Sequence, residues 1–119
     1  MTSIVLHGRV AVKPAANKAL GKLISTLQPD SDDIVEIQNN ILTIHIGNCD
    51  APRGFHDIAC KAVCSFCEQY ATSGAVFDLD GTALLVGPDS RARQQAHAAH
   101  LVARIQALTS ELDRVLKAA

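Results

Sequence analysis

Two short segments of the chain hold the residues that could do chemistry. The segment CKAVCSFC places Cys60, Cys64 and Cys67 at a C-x3-C-x2-C spacing. Closely spaced thiolates are the usual ligands of iron–sulfur clusters and zinc. The segment VFDLDGT places Asp78 and Asp80 two residues apart, and paired carboxylates can hold a divalent cation or transfer a proton. Each segment predicts a site only if the secondary structure brings its side chains together.

The cysteine segment resembles the cluster-binding motif of the radical SAM family, including the aromatic Phe66 before its last cysteine. The resemblance implies a [4Fe–4S] cluster held by three thiolates on a loop, followed by a long series of βα units. Here helical periodicity runs through the segment, and the residues from Cys67 to 119 predict a hairpin and one helix. Cys60 and Cys67 would lie about 10 Å apart along that helix. We interpret the match as a coincidence.

Two interpretations of the thiols stay open. In the first, Cys60, Cys64 and Cys67 lie on a helix flank between core and solvent and pack as small apolar side chains. In the second, His56, Cys60, Cys64 and Cys49 bind a metal ion or respond to redox conditions. Packing is favoured, because one continuous helix brings at most two of these side chains to one ion.

The VFDLDGT segment resembles the first motif of the haloacid dehalogenase superfamily. The resemblance implies that Asp78 attacks a phosphate group and that Asp80 acts as acid and base beside magnesium, in a large Rossmann-like domain. Here an Asp-Gly pair between two short apolar runs predicts a type I′ hairpin instead. Only three acidic residues follow Thr82, namely Asp89, Glu111 and Asp113. We therefore expect no catalytic residues and no cofactor, and we expect that the chain is not an enzyme.

The pattern of apolar residues predicts the elements that position these groups. Period-2 alternation predicts a strand from Ile4 to Val12, and turn residues predict hairpins at Asn39-Asn40 and Asp80-Gly81. Helical spacing predicts helices at 14–28, 55–71 and about 90–117, the last capped by Asp89 or Ser90. The order β-α-β-β-α-β-β-α, with about five mostly antiparallel strands and three helices, indicates a two-layer α+β fold. Residues 1–119 form a single domain.

The last predicted helix carries two strips of residues. An apolar strip is predicted either to cover the sheet of its own chain, which we favour, or to meet a second copy. Its members step by three and four residues, namely Ala98, Leu101, Ile105, Leu108, Leu112 and Val115, with Val102 and Leu116 beside them. A second strip holds Arg93, His97, His100 and Arg104, which predicts either a solvated face or a surface that binds a partner.

Composition and charge narrow the class of function. Eleven basic and twelve acidic residues give a net charge of −1, so we expect no nucleic-acid partner. No apolar run approaches ~18 residues, so no membrane span is expected. The opening MTSIVLHGRVAV alternates like a strand rather than a secretory signal. We therefore expect a cytoplasmic protein with reduced cysteines.

These observations predict a small, non-enzymatic, homo-oligomeric binding module that acts on a macromolecular partner, such as another protein. Arg93, His97, His100 and Arg104 are the candidate contact residues. An accessory protein of a mobile element fits this description, although no residue points to it. The alternative is a metal- or redox-responsive thiol protein that uses the cysteines of the middle helix.

Overall fold

A computed structural model describes residues 2–51 and 54–118 of the chain, and its side-chain description excludes residues 2, 3 and 48–51. Within these ranges, five strands and three helices follow in the predicted order, which confirms the α+β fold. They are β1 (Thr2–Ala11), α1 (Ala16–Leu27), β2 (Ile34–Gln38), β3 (Ile41–Ala51), α2 (Phe55–Tyr70), β4 (Ala75–Leu79), β5 (Thr82–Val86) and α3 (Ser90–Ala118).

The strands form one sheet in the order β2-β3-β1-β4-β5, and all neighbours are antiparallel. Both predicted hairpins are confirmed. Asn39 and Asn40 have φ values of 53° and 60°, and Asp80 and Gly81 have φ values of 53° and 84°. Positive φ at both central residues is the type I′ geometry, which matches the twist of the flanking strands. Asparagine, aspartate and glycine adopt it at the lowest steric cost.

Helices α1 and α2 cover one face of the sheet. Alternate residues of β1, including Leu6 and Val10, point toward them and are buried. The same alternation in β3 and β4 completes a single apolar core. The largest fully buried side chains are Phe77, Ile4, Leu6, Leu27, Leu42, Ile44, Val63, Val86 and Cys67.

The other face of the sheet is open along β1, β2 and β3. Val5, Ile34 and Ile41 are 42–43% exposed there. Beside them, Nε2 of His7 lies 3.1 Å from Oδ2 of Asp78 on the neighbouring β4. Among the described residues 2–51 and 54–118, α3 is the helix that packs on this face, and it does so over β4 and β5. The side chains of Val5, Ile34 and Ile41 on the other three strands therefore keep contact with solvent.

Helix α3 is long and only partly packed. The Ala92 N–H donates to Oδ1 of Asp89 at 2.8 Å, so Asp89 caps the helix as predicted. Its 29 residues span about 43 Å, and every residue from 101 to 118 is exposed. Across residues 2–51 and 54–118, no helix combines the length and the apolar composition that crossing a membrane requires.

Candidate interaction surface on helix α3

Two glycines seat the first turns of α3 against the β4–β5 hairpin. A Cβ at Gly74 would lie 2.1 Å from the backbone oxygen of Ala92, and a Cβ at Gly87 would lie 3.4 Å from the Ala92 Cβ. The Arg93 guanidinium donates to the Gly87 carbonyl oxygen at 3.4 Å and lies 4.0 Å from a carboxylate oxygen of Glu68. These contacts determine which side of α3 faces the sheet.

The side of α3 that faces the sheet is not its apolar side. Ala92, Ala96 and His100 are half-buried, whereas the apolar strip is exposed along its whole length. At ~100° per residue, the centre of that strip lies about 150° around the helix from the packed side. The favoured prediction that the strip packs within its own chain is therefore wrong. The physical reason is that glycine and alanine let the helix backbone approach more closely than leucine or isoleucine would.

The exposed strip is the largest regular apolar feature of the described surface, and we call it the apolar seam. Its residues are 42–65% exposed, and they are Leu101, Val102, Ile105, Leu108, Leu112, Val115 and Leu116. Apolar residues scattered singly over a surface are normal, whereas a contiguous patch marks an interaction site. The seam is therefore the leading candidate for a functional surface.

The structure separates the four residues of the predicted basic strip. Arg93 is half-buried against β5 and α2, and His97 is exposed. His100 and Arg104 line a cleft of about 380 Å³ beneath α3, whose other lining residues include Asp78. The four side chains thus divide between internal contacts, the cleft and solvent.

Asp78 and Asp80 take part in separate contacts. Asp78 pairs with His7 across the β1–β4 ladder. Oδ1 of Asp80 accepts the Val5 N–H at 2.7 Å, the Asp80 N–H donates to the Val5 carbonyl oxygen at 2.8 Å, and Oδ2 lies 3.8 Å from Nε2 of His56. Both carboxylates thereby tie the β4–β5 hairpin to the rest of the fold.

Burial favours the protonated form of two thiols of α2, those of Cys64 and Cys67. Burial raises the pKa of Cys67 to about 12. Burial, followed by the neighbouring Cys60 thiol, raises the pKa of Cys64 to about 11. Cys60 and Cys64 are half-buried on the helix flank, as predicted, whereas Cys67 is fully buried. Protonated thiols are poor nucleophiles and poor metal ligands.

The metal interpretation also requires His56 and Cys49 beside the thiols. The two nitrogens of His56 lie 3.7 Å from Asp57 and 3.8 Å from Asp80. The side chain of Cys49 lies outside the described residues. Among the side chains that are described, no three histidine, cysteine, aspartate or glutamate groups converge on a point that could hold a metal ion.

Sequence reasoning missed the contact between Gly74 and Ala92, which orients α3. Neither Gly74 nor Ala92 belongs to an apolar strip of the sequence. The small residues Ala92 and Ala96, four apart on one side of the helix, are the signal that could have found it. Such a pair permits close backbone approach but does not name the residue approached.

Comparison with known proteins gives no further guide. The chain matches no protein-family model, no curated protein and no solved structure.

Proposed function

We propose that the chain is a homo-oligomeric, non-enzymatic binding module that associates with a second copy through the apolar seam of α3. The exposure of the seam is the observation that carries the proposal. The two groups of residues that resemble enzyme motifs support its non-enzymatic part. The aspartates are engaged in structural contacts, and burial keeps the Cys64 and Cys67 thiols protonated.

The size of the seam is sufficient for a dimer of moderate affinity. Half-exposed valine, leucine and isoleucine side chains offer seven apolar groups per copy, or roughly 400 Å² of apolar surface. Burying this area on two copies would contribute on the order of 20 kcal/mol to the free energy of association. The loss of translational and rotational freedom opposes association by ~4–15 kcal/mol. The difference, roughly 5–16 kcal/mol, corresponds to a dissociation constant of about 0.2 mM or tighter.

A pair of matched variants tests the proposal. Leu108→Gln/Leu112→Gln places two polar side chains in the seam. Ala99→Gln/Ser110→Gln adds the same side chains at two exposed positions on the far side of the helix. The molar mass of each protein is measured by light scattering at roughly 10–200 µM, a range that brackets a micromolar dimer. Circular dichroism verifies that each variant keeps its helix content.

The expected result is a wild-type mass of twice 12.6 kDa, a mass of 12.6 kDa for the seam variant, and a dimer for the far-side control. Wild-type protein that keeps a mass of 12.6 kDa at the highest concentration would overturn the proposal. A seam variant that still dimerises would also overturn it, because the association would then use another surface.

A further inference from the structure

We infer that two copies of α3 pair antiparallel, with Arg104 of each chain against Glu111 of the partner subunit. The inference rests on the proposed function. It specifies that a second copy of α3 covers the seam, and it gives the direction and the alignment of that second helix. The observation that carries it is the distribution of charge along the two edges of the seam.

One edge of the seam is charged and the other is not. Arg104 and Glu111 lie seven residues apart on the first edge, about 10.5 Å along the helix. Both are exposed, and neither forms an ion pair with another described residue. Val102, Thr109 and Leu116 occupy the second edge at the same seven-residue spacing.

The orientation of a helix pair decides which edges meet. In a parallel pair, each edge meets the opposite edge of the partner, which would place Arg104 and Glu111 against uncharged side chains. In an antiparallel pair, like edges meet. The two charged edges then face each other. Arg104 of each chain lies against Glu111 of the partner subunit, which gives two symmetric ion pairs.

The same register fills the centre of the seam. In this antiparallel pair, the two-fold axis crosses each helix between Gln106 and Ala107. Ile105 then faces Leu108 of the partner subunit, and Leu101 faces Leu112 of the partner subunit. Every central layer is therefore apolar on both sides. The antiparallel helix dipoles also attract each other. A two-fold contact of this kind closes at two copies and leaves no second seam to extend a filament.

Charge reversal tests the inference, with dissociation constants measured by sedimentation equilibrium. Arg104→Glu or Glu111→Arg alone converts both ion pairs into like-charge contacts, and we expect each to raise the dissociation constant about tenfold. Arg104→Glu/Glu111→Arg restores both pairs with exchanged signs, so its constant should return to within about threefold of wild type. Arg114→Glu makes the same charge change on the far side of α3 and should leave the constant unchanged.

An equimolar mixture of the two single variants adds an independent readout. Arg104→Glu and Glu111→Arg chains should form a heterodimer that is tighter than either homodimer, detected by native mass spectrometry. Two outcomes would overturn the antiparallel register and leave the proposed function standing. In the first, the wild type dimerises and the single variants have the same dissociation constant as the wild type. In the second, the double variant remains as weak a dimer as the single variants. A wild-type protein that never dimerises would overturn the proposed function itself.

Discussion

Replacing Gly74 with alanine tests the contact that orients α3. The new Cβ would lie 2.1 Å from the Ala92 carbonyl oxygen, 2.6 Å from its carbonyl carbon and 3.1 Å from the Ala96 Cβ. The first two atoms belong to the helix backbone, so no side-chain rotation can relieve the overlap. Either the helix or the segment before β4 must move.

The cost of this movement follows from its size. Non-bonded heavy atoms settle near ~3.5 Å, so α3 must shift by at least about 1 Å. A shift of this size loosens the Ala92 contact with Gly87 and the Arg93 contact with the Gly87 carbonyl oxygen. Overpacking of a tight contact costs ~1–3 kcal/mol, and the lower entropy of the unfolded alanine chain returns ~0.4–1 kcal/mol. We expect a net loss of about 1–2 kcal/mol.

Urea unfolding followed by circular dichroism measures this loss, and Gly21→Ala is the matched control. Gly21 lies within α1, and a Cβ there meets nothing within 4 Å. The control should therefore gain up to ~1 kcal/mol from helix propensity alone. If Gly74→Ala is as stable as wild type, α3 does not rest on Gly74. The outward orientation of the seam would then not depend on the Gly74 contact.

Two further predictions concern the buried thiol and the β4–β5 turn. Above pH 9 the unfolded chain loses the Cys67 proton while the folded chain keeps it until about pH 12. The free energy of unfolding should therefore fall as pH rises, by up to ~1.4 kcal/mol per pH unit. In urea titrations from pH 8.5 to 10.5, the free energy of unfolding should fall less steeply with pH in Cys67→Ala than in wild type. An equal dependence on pH in both proteins would refute the raised pKa of Cys67 in the folded chain. Asp80→Ala removes the acceptor of the Val5 N–H and should cost about 1–2 kcal/mol in the same assay. Asp80→Asn retains an acceptor oxygen and tolerates positive φ, so it should cost less than Asp80→Ala, and equal costs would contradict the role of that bond.

The parts of the fold that could be predicted are those whose physics is local. The type I′ turns at Asn39-Asn40 and Asp80-Gly81 depend on residues that tolerate positive φ. The strands and helices depend on the spacing of apolar residues over one or two turns. The same local reasoning interpreted VFDLDGT as a hairpin and CKAVCSFC as a helix, and the structure has both. The sequence pattern predicted that Cys67 lies on the helix flank, whereas it lies in the core. A small rotation of α2 about its axis separates the two positions, and only the packing of α2 against the sheet fixes that rotation.

The amino-acid pattern by itself determined that α3 is a helix with one continuous apolar strip and one charged edge. It could not determine where that strip points, because the rotation of a helix about its axis depends on contacts with distant residues. Here the contact of Ala92 with Gly74, eighteen positions earlier in the chain, turns small side chains toward the sheet and the seam toward solvent. Tertiary packing therefore decided that a strip suited to a core became the candidate binding surface.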